Sequence, residues 1–241
     1  MKLFCVGCGP GDPELLTVRA VNLIKSAEII FAPTAREGKP SIALSVVEKY
    51  VSNKAKTASL VFPMVKDRES LKVYWRRNAD EIAAAARSGK KVVYLTVGDP
   101  ALYSTWIYVH RELKRNHSDI EVEIVPGIAS MFAIAAKAGI SLAEGEETVA
   151  IVPACYDMDR VRRAASACDT VIFLKDGRYF DSVIEMLGES GFPDNANIAI
   201  AQDISEAGEI LEMKTLSDLR GKKGPVEKYF SIMVAKKNAR E

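Results

Sequence analysis

The residues best suited to chemistry in this 241-residue chain sit in three glycine-bearing turns. The first is Gly7-Cys8-Gly9-Pro10-Gly11-Asp12-Pro13. Its glycines let backbone approach a ligand, Pro10 stiffens the turn, and Asp12-Pro13 reads as a helix N-cap followed by proline at the first helical position. The second, Gly98-Asp99-Pro100, follows the most hydrophobic run of the chain, Val92 to Val97, and leads into Ala101-Leu102-Tyr103-Ser104-Thr105-Trp106. Its aspartate either caps the next helix or accepts hydrogen bonds from a ligand's hydroxyl or amine groups; the residues alone leave both readings open. The third, Pro126-Gly127-Ile128-Ala129-Ser130, offers N–H groups at a helix start, a setting that suits a carboxylate. A plain turn from strand to helix is the simpler account of any one of these taken singly.

Other chemistries lack the spacing they need. A dinucleotide fingerprint requires Gly-x-Gly-x-x-Gly; here the third glycine comes one residue early, Pro10 occupies the turn, and the second strand closes on Ala32 without an acidic residue. Cys5-x-x-Cys8 has the spacing of zinc and redox sites. Cys5, however, falls inside the first strand, and no histidine or second close cysteine pair follows, so no protein-bound metal and no redox role are expected. His110 and His117, on one predicted helix, read as a partly exposed face, and Arg162/Arg163 and Lys222/Lys223 as solvated surface. No Ser-His-Asp arrangement, Gly-Lys-Thr phosphate loop or paired-carboxylate signature announces a hydrolase or kinase.

The elements that must position the turns follow from hydrophobic period. Strands are predicted at 2–7, 27–32, 57–61, 91–97 and 121–125, with helices at 15–25, 41–50, 67–88, 102–116 and 129–138. Such βα alternation implies a mostly parallel sheet, and the loops leaving the carboxyl ends of its strands then share one edge, where open α/β folds bind ligands. Those loops are Cys8–Asp12, Pro33–Lys39, Phe62–Lys66, Gly98–Tyr103 and Pro126–Ser130. Period lapses between Ile140 and Glu147, which places a boundary between a domain of residues 1–143 and one of 144–241. In the latter, strands at 148–153, 169–175, 197–202, 208–213 and 228–235 have clear helices only at 158–167 and 179–188, plus a short one near 215–220, so hairpins and a mixed sheet are expected. The fold class is therefore α/β in two domains.

Composition excludes several classes. Lys plus Arg number 33 against 32 Asp plus Glu, a net charge of +1, so a broadly basic nucleic-acid binder is not expected and any anionic partner must be held locally. With 48% hydrophobic and 27% charged residues the chain lies far from the disordered regime. No run reaches the roughly 18 apolar residues of a membrane span, and no signal-peptide pattern opens the chain; a cytoplasmic location with reduced cysteines and no membrane partner is expected.

In combination the motifs become specific. Gly7-x-Gly-Pro-Gly-Asp-Pro-Glu-Leu-Leu-Thr17, Gly98-Asp-Pro-Ala-Leu-Tyr-Ser-Thr105 and Val125-Pro-Gly-Ile-Ala-Ser130, in this order, resemble the tetrapyrrole methylases. Phe62-Pro63-Met64, Leu142-Ala-Glu-Gly-Glu146, Val152-Pro153-Ala154 and Tyr229-Phe230-Ser231 look most like the precorrin-2 C20-methyltransferase branch. The resemblance implies two αβα domains with a cleft between them, a homodimer, and methyl transfer from S-adenosyl-L-methionine to carbon 20 of precorrin-2 or cobalt-precorrin-2 in corrin (vitamin B12) synthesis. It also implies donor contacts at Pro10, Gly98, Asp99, Leu102, Tyr103, Ser104, Ala129 and Ser130, and from the second domain at Ala154, Leu174 and Ile204. Relatives often carry Ser or Thr where Ala129 stands, and Ser130 is positioned to replace that hydroxyl. The sulfonium is already activated, so the protein's main task is to hold the methyl about 3 to 3.5 Å from the attacking carbon and in line with the departing sulfur. Asp99 and Tyr103 are the positional candidates for a base, and Arg36, Lys39 and Lys66 for cations facing substrate carboxylates. Competing readings are a relative acting at another corrin carbon or, like diphthine synthase, on a protein; a nucleotide-dependent oxidoreductase; and a noncatalytic tetrapyrrole binder.

Overall fold

The computed structural model describes residues 1–65, 67–153, 157–174, 179–203, 208–222 and 231–237. The chain forms two compact units, Met1–Ala129 and Ser130–Glu241.

In the first unit, strands β1 (Lys2–Gly7), β2 (Ile29–Thr34), β3 (Lys56–Val61), β4 (Val92–Thr96) and β5 (Glu121–Val125) form one sheet in the order β3-β2-β4-β1-β5. Every pairing is parallel. Helices cover both faces. Helices α1 (Val18–Lys25) and α2 (Ile42–Val47) pack on Val6, Cys8, Ile30, Val93 and Leu95, while α3 (Arg68–Arg87) and α4 (Trp106–Asn116) pack on Leu3, Cys5, Phe31, Leu60 and Tyr94. That sandwiching explains why all of β4 is buried and reads as an unbroken apolar run closed by Thr96. Helix α3 starts where Asp67 accepts from Ser70 N at 2.9 Å and buries Ala79, Ile82, Ala83 and Ala86, the spacing of one helical stripe.

The chain leaves β1 through α1 toward β2, and leaves β4 through α4 toward β5, on opposite faces and in opposite directions across the sheet. The adjacent pair β4 and β1 is thus the switch point of the topology, where a crevice opens at the carboxyl edge.

The second unit contains α5 (Ser130–Ala138), β6 (Val149–Pro153), α6 (Met158–Ala167), β7 (Thr170–Leu174), α7 (Phe180–Glu189), β8 (Asn197–Gln202), β9 (Ile210–Thr215), α8 (Leu216–Leu219) and β10 (Ser231–Lys236). Its sheet runs β6-β7-β10-β8-β9; β6 and β7 are parallel and the remaining pairs antiparallel, the mixed sheet expected. Helices α6, α7 and α8 share one core face, and α5 covers the other through Ala133 and Ile134.

The unit boundary falls ahead of the expected 143/144, because α5 buries its apolar stripe on the second sheet. The stretch after α5 is a pinned loop. Lys236, nearly buried at the end of β10, donates to Ser141 Oγ at 2.7 Å and pairs with Glu147 at 3.0 Å and Glu144 at 3.2 Å. Burial disfavours its ammonium, but the hydrogen bonds to Glu147 and Glu144 outweigh that and raise its pKa above the ordinary lysine value.

Two helix starts also differ from expectation. The helix expected from residue 15 splits into a single 3-10 turn, Pro13–Leu15, capped by Asp12, and α1, capped by Thr17, because Leu16 is extended. The helix expected from residue 102 begins only at Trp106, because Tyr103 adopts a left-handed backbone with φ of 50°. Of the strand expected at 228–235, residues 228–230 lie outside the described residues.

Candidate functional site

Positions 7, 98 and 127 meet at the carboxyl edge, on the three neighbouring strands β4, β1 and β5. An isolated β-bridge joins the first two loops: Gly98 N donates to Gly9 O at 2.7 Å and Gly9 N to Gly98 O at 3.3 Å, next to Cys8 N donating to Thr96 O at 2.8 Å. The third loop closes on both. A Cβ on Gly7 would stand 2.6 Å from Gly127 N and 2.7 Å from Gly98 O, so only glycine allows these backbones to touch. Gly98, with φ of 69°, faces open space: nothing lies within 4 Å of where its Cβ would stand. Backbone is therefore accessible there to a ligand.

Asp99 ties the junction together. Its Oδ1 accepts from Ala101 N at 2.7 Å and its Oδ2 from Gly127 N at 3.0 Å, so the carboxylate turns its own loop and holds the loop after β5. Hydrogen bonds to an ionised acceptor are worth about 1.5 to 3 kcal/mol each. The geometry does not use Asp99 as a cap on α4; its carboxylate is a staple between loops. The N-cap of α4 is Thr105, which makes no side-chain cap bond; the residue before it, Ser104, takes the first helical N–H, its Oγ accepting from Trp106 N at 3.1 Å and lying 2.8 Å from Thr96 Oγ1. Ser104 is buried with its hydroxyl committed to these partners, so it shapes the turn from within.

The remaining expected residues are distributed as follows. Pro10 and Ala129 are buried at the junction's two flanking loops, Leu102 and Ser130 are half-buried, and Tyr103 is 42% exposed. Leu174 ends β7 and packs in the apolar cluster of α5 and the second sheet. Ala154, Ile204 and Lys66 lie outside the described residues. Sequence reasoning overlooked Thr96, whose hydroxyl anchors Ser104; the signal was a polar residue closing the most apolar strand.

Next to this junction, β2 pairs with β4, and the loop after β2 is a compact turn. The buried Thr34 hydroxyl lies 3.0 Å from Lys39 O and 3.1 Å from Arg36 O, closing a loop that leaves Arg36 and Lys39 exposed. After β3, Phe62 is anchored while Met64 and Val65 are exposed.

The two cysteines of Cys5-x-x-Cys8 point to opposite faces of the sheet, Cys5 toward α3 and α4 and Cys8 toward α1 and α2. Burial pushes the Cys8 thiol up to about 12 and raises Cys5 as well, so neither is a nucleophile at neutral pH. His117 is engaged on both ring nitrogens, by Asp80 at 2.7 Å and Arg87 at 3.2 Å, at the end of α4 away from the Gly98 turn.

Residues 2–220 match the family model for tetrapyrrole (corrin/porphyrin) methylases. The chain belongs to the tetrapyrrole methylases. Among other members, it is 40% identical over 174 residues to a probable cobalt-precorrin-2 C(20)-methyltransferase of Methanocaldococcus jannaschii, covering 72% of each chain. It is 33% identical over 190 residues to the cobalt-precorrin-2 C(20)-methyltransferase of Salmonella typhimurium, covering 79% of each. Its fold matches solved methylases. A cobalt precorrin-4 methyltransferase superposes with a TM-score of 0.76 at 21% identity, covering 98% of this chain and 94% of the other. A uroporphyrin-III C-methyltransferase of Thermus thermophilus complexed with S-adenosyl homocysteine superposes with a TM-score of 0.72 at 21% identity, covering 98% and 97%. The methylase fold thus accounts for both sheets, and membership makes this chain a methyltransferase. Among the described residues no helix is long and apolar enough to cross a membrane.

Proposed function

We propose that this methylase transfers the methyl group of S-adenosyl-L-methionine to carbon 20 of precorrin-2, with the cobalt complex as the favoured acceptor. The observation that carries the reading is the likeness to the cobalt-precorrin-2 C(20)-methyltransferases at 40% and 33% identity. The metal-free precorrin-2 C(20)-methyltransferase of a Sinorhizobium species stands at 29%. Any cobalt belongs to the acceptor.

The residues of the glycine junction fit the donor. Gly98 leaves its backbone open where a Cβ would otherwise stand, and Pro10, Asp99, Leu102, Tyr103 and Ala129 belong to the three loops of the same junction. These are the residues assigned to the donor from the first unit, with Ser130 continuing the loop after β5. Leu174, Ala154 and Ile204 are assigned from the second unit by family likeness alone. When bound, the sulfonium supplies an electrophilic methyl group that needs no further activation. The chain's part is to hold, which the stapled junction does with backbone on backbone and little freedom to move. Each Asp99 oxygen accepts one N–H bond, so that carboxylate positions the two loops around the donor. Arg36 and Lys39, on the loop adjoining β4, are the cations assigned to the acceptor's carboxylates.

Incubation with labelled S-adenosyl-L-methionine and either cobalt-precorrin-2 or its metal-free form, without oxygen, followed by NMR location of the methyl group, tests the proposal. Transfer to carbon 20 is expected; transfer to another carbon, or none, defeats it. Calorimetric titration of Arg36→Ala should show weakened acceptor binding with donor binding retained. Homodimeric assembly and cytoplasmic location belong to the same proposal, the former read by light scattering.

A further inference from the structure

Strand β2 closes on a polar residue, Thr34, only 6% exposed after the apolar run Ile29 to Pro33. The sheet fixes its backbone: Thr34 pairs with Val61 of β3, and its carbonyl accepts from Phe62 N at 2.8 Å. From that rigid base the hydroxyl reaches forward along the chain to two carbonyls, Lys39 O at 3.0 Å and Arg36 O at 3.1 Å. Residues 36–39 form a turn of their own, in which Lys39 N donates to Arg36 O at 3.3 Å and Gly38 supplies a left-handed third position with φ of 73°. One O–H shared between two carbonyls therefore gathers both ends of the turn.

The two residues gathered are the two cations. The first and fourth Cα atoms of such a turn lie within about 7 Å of each other, so Arg36 and Lys39 are kept close together, and both are exposed. Among the described residues neither forms an ion pair, and Glu37 between them is exposed and unpaired as well. A segment that only had to join β2 to α2 would have no use for two like charges fastened side by side by a buried hydroxyl. An anionic ligand supplies the counter-charge that the fold does not.

We propose that Thr34 is a positioning residue for acceptor binding, its buried hydroxyl holding the Arg36–Lys39 turn in the form that presents both cations to carboxylates of the macrocycle. This rests on the acceptor class proposed above and names the group that stands behind its cations. Without the hydroxyl both charges remain, but the turn must be ordered at the moment of binding, and affinity falls.

Thr34→Val replaces the hydroxyl by a methyl group of nearly the same size, and Thr34→Ser keeps the hydroxyl and drops the methyl. Both are compared with wild type, with the charge-free variant Arg36→Ala/Lys39→Ala, and with that variant carrying Thr34→Val as well. Three quantities are read: the melting temperature, the calorimetric affinity for S-adenosylhomocysteine, and the affinity for the polycarboxylate macrocycle uroporphyrin followed by absorbance. Thr34→Val should weaken uroporphyrin binding by about threefold to tenfold, the cost of ordering one or two side chains on binding, and Thr34→Ser should stay within about twofold of wild type. The charge-free variant should lose about tenfold, and adding Thr34→Val to it should change little, by less than about twofold, because the hydroxyl acts through the two cations. S-adenosylhomocysteine affinity stays within about twofold throughout, and the melting temperature of Thr34→Val within about 4 °C of wild type. Unchanged uroporphyrin affinity in Thr34→Val, an equal loss in Thr34→Ser, a loss that persists undiminished in the charge-free background, or a parallel loss of S-adenosylhomocysteine affinity overturns the proposal, as does a wild type that binds no uroporphyrin. Turnover of cobalt-precorrin-2 by wild type reports separately on the acceptor class. If uroporphyrin binding depends on Thr34 through the two cations yet carbon 20 is not methylated, the proposed reaction fails and the role of Thr34 stands.

Discussion

Replacing Gly7 by alanine adds one methyl group to the end of β1, and the structure sets the size of its effect. The new Cβ would lie 2.6 Å from Gly127 N, 2.7 Å from Gly98 O and 2.8 Å from Gly127 Cα, where ordinary contact begins at 3.4 Å. The loops after β1, β4 and β5 must therefore separate by about 0.8 Å, and because all the opposing atoms are main chain, no side-chain rotation can absorb the clash. Overpacking of this kind costs about 1 to 3 kcal/mol, and the lack of rotamer relief puts Gly7→Ala near 3. For a chain of this length that is a fall of about 6 to 12 °C in melting temperature. A displacement approaching 1 Å in groups that position reactants costs about a hundredfold in kcat/KM, or about 2.7 kcal/mol of transition-state stabilisation. Gly98→Ala is the comparison. It sits in the same junction with φ of 69° but with open space around it, so it incurs left-handed strain of about 1 to 2 kcal/mol without forcing the loops apart. Melting curves should rank Gly7→Ala below Gly98→Ala in stability, while calorimetry with S-adenosylhomocysteine and methyl transfer from labelled donor should show both weakened, Gly7→Ala through displaced loops and Gly98→Ala through a methyl group in the space left open for the donor. Equal melting temperatures in the two variants, or near wild-type donor affinity in Gly7→Ala, would refute the claim that backbone contact at the junction shapes the donor site.

Three further outcomes are expected. In Asp99→Asn the amide oxygen can accept one N–H, and its NH2 then faces the other donor to donor; a loss of about 2 kcal/mol and of about 4 to 8 °C should appear together with weaker donor binding. Ser104→Ala removes the acceptor of the first N–H of α4, worth about 1 kcal/mol, and leaves the buried Thr96 hydroxyl without its partner, about 1 to 3 more, so thermal unfolding should show the loss. Lys236→Met strands the mostly buried Glu147 and should destabilise the second unit by about 3 kcal/mol in denaturant unfolding. Its pH dependence has two edges. Lys236, raised in the fold, contributes fully below the ordinary lysine value of 10.5 and loses that contribution as pH rises through its raised pKa. Glu144, lowered by the Ser141 hydroxyl and then by Lys236, contributes fully above 4.5 and loses it as pH falls through its depressed pKa. The gap between wild type and Lys236→Met should therefore be flat from about pH 5 to about pH 10 and narrower on either side.

Period and composition made most elements readable. The apolar run 92–96 could only be a strand covered on both faces, and helix α3 announced itself by its stripe. The glycine turns were readable as a set at one edge, since parallel strands force their carboxyl ends together. What local sequence could not convey was partnership. That Gly7, Gly98 and Gly127 touch, or that Asp99 reaches Gly127, depends on β1 lying between β4 and β5, which no local window contains. The same holds for the loop after α5. Its broken hydrophobic period resembled a linker because the residue that pins it, Lys236, lies some ninety positions away. Where backbone strain overrode pattern, as at Tyr103, the helix start moved by four residues, from 102 to 106.

The place of β1 in the sheet also has a consequence for synthesis. Strand β1 leaves the ribosome before both of its partners, β4 and β5, which are complete only once residues 96 and 125, respectively, have been made. At about 5 to 20 residues per second the Leu3-Phe4-Cys5-Val6 segment waits on the order of 5 to 20 s with both edges open, and about 6 to 25 s before the second can be covered. The first unit is thus folded late by its own topology: a nascent chain stalled before Val92 holds an apolar strand with nothing to pair with, and one stalled between 96 and 121 leaves one of its edges open. Ribosome-bound chains released at residue 115 should be far more aggregation-prone and more dependent on chaperones than chains released after residue 140.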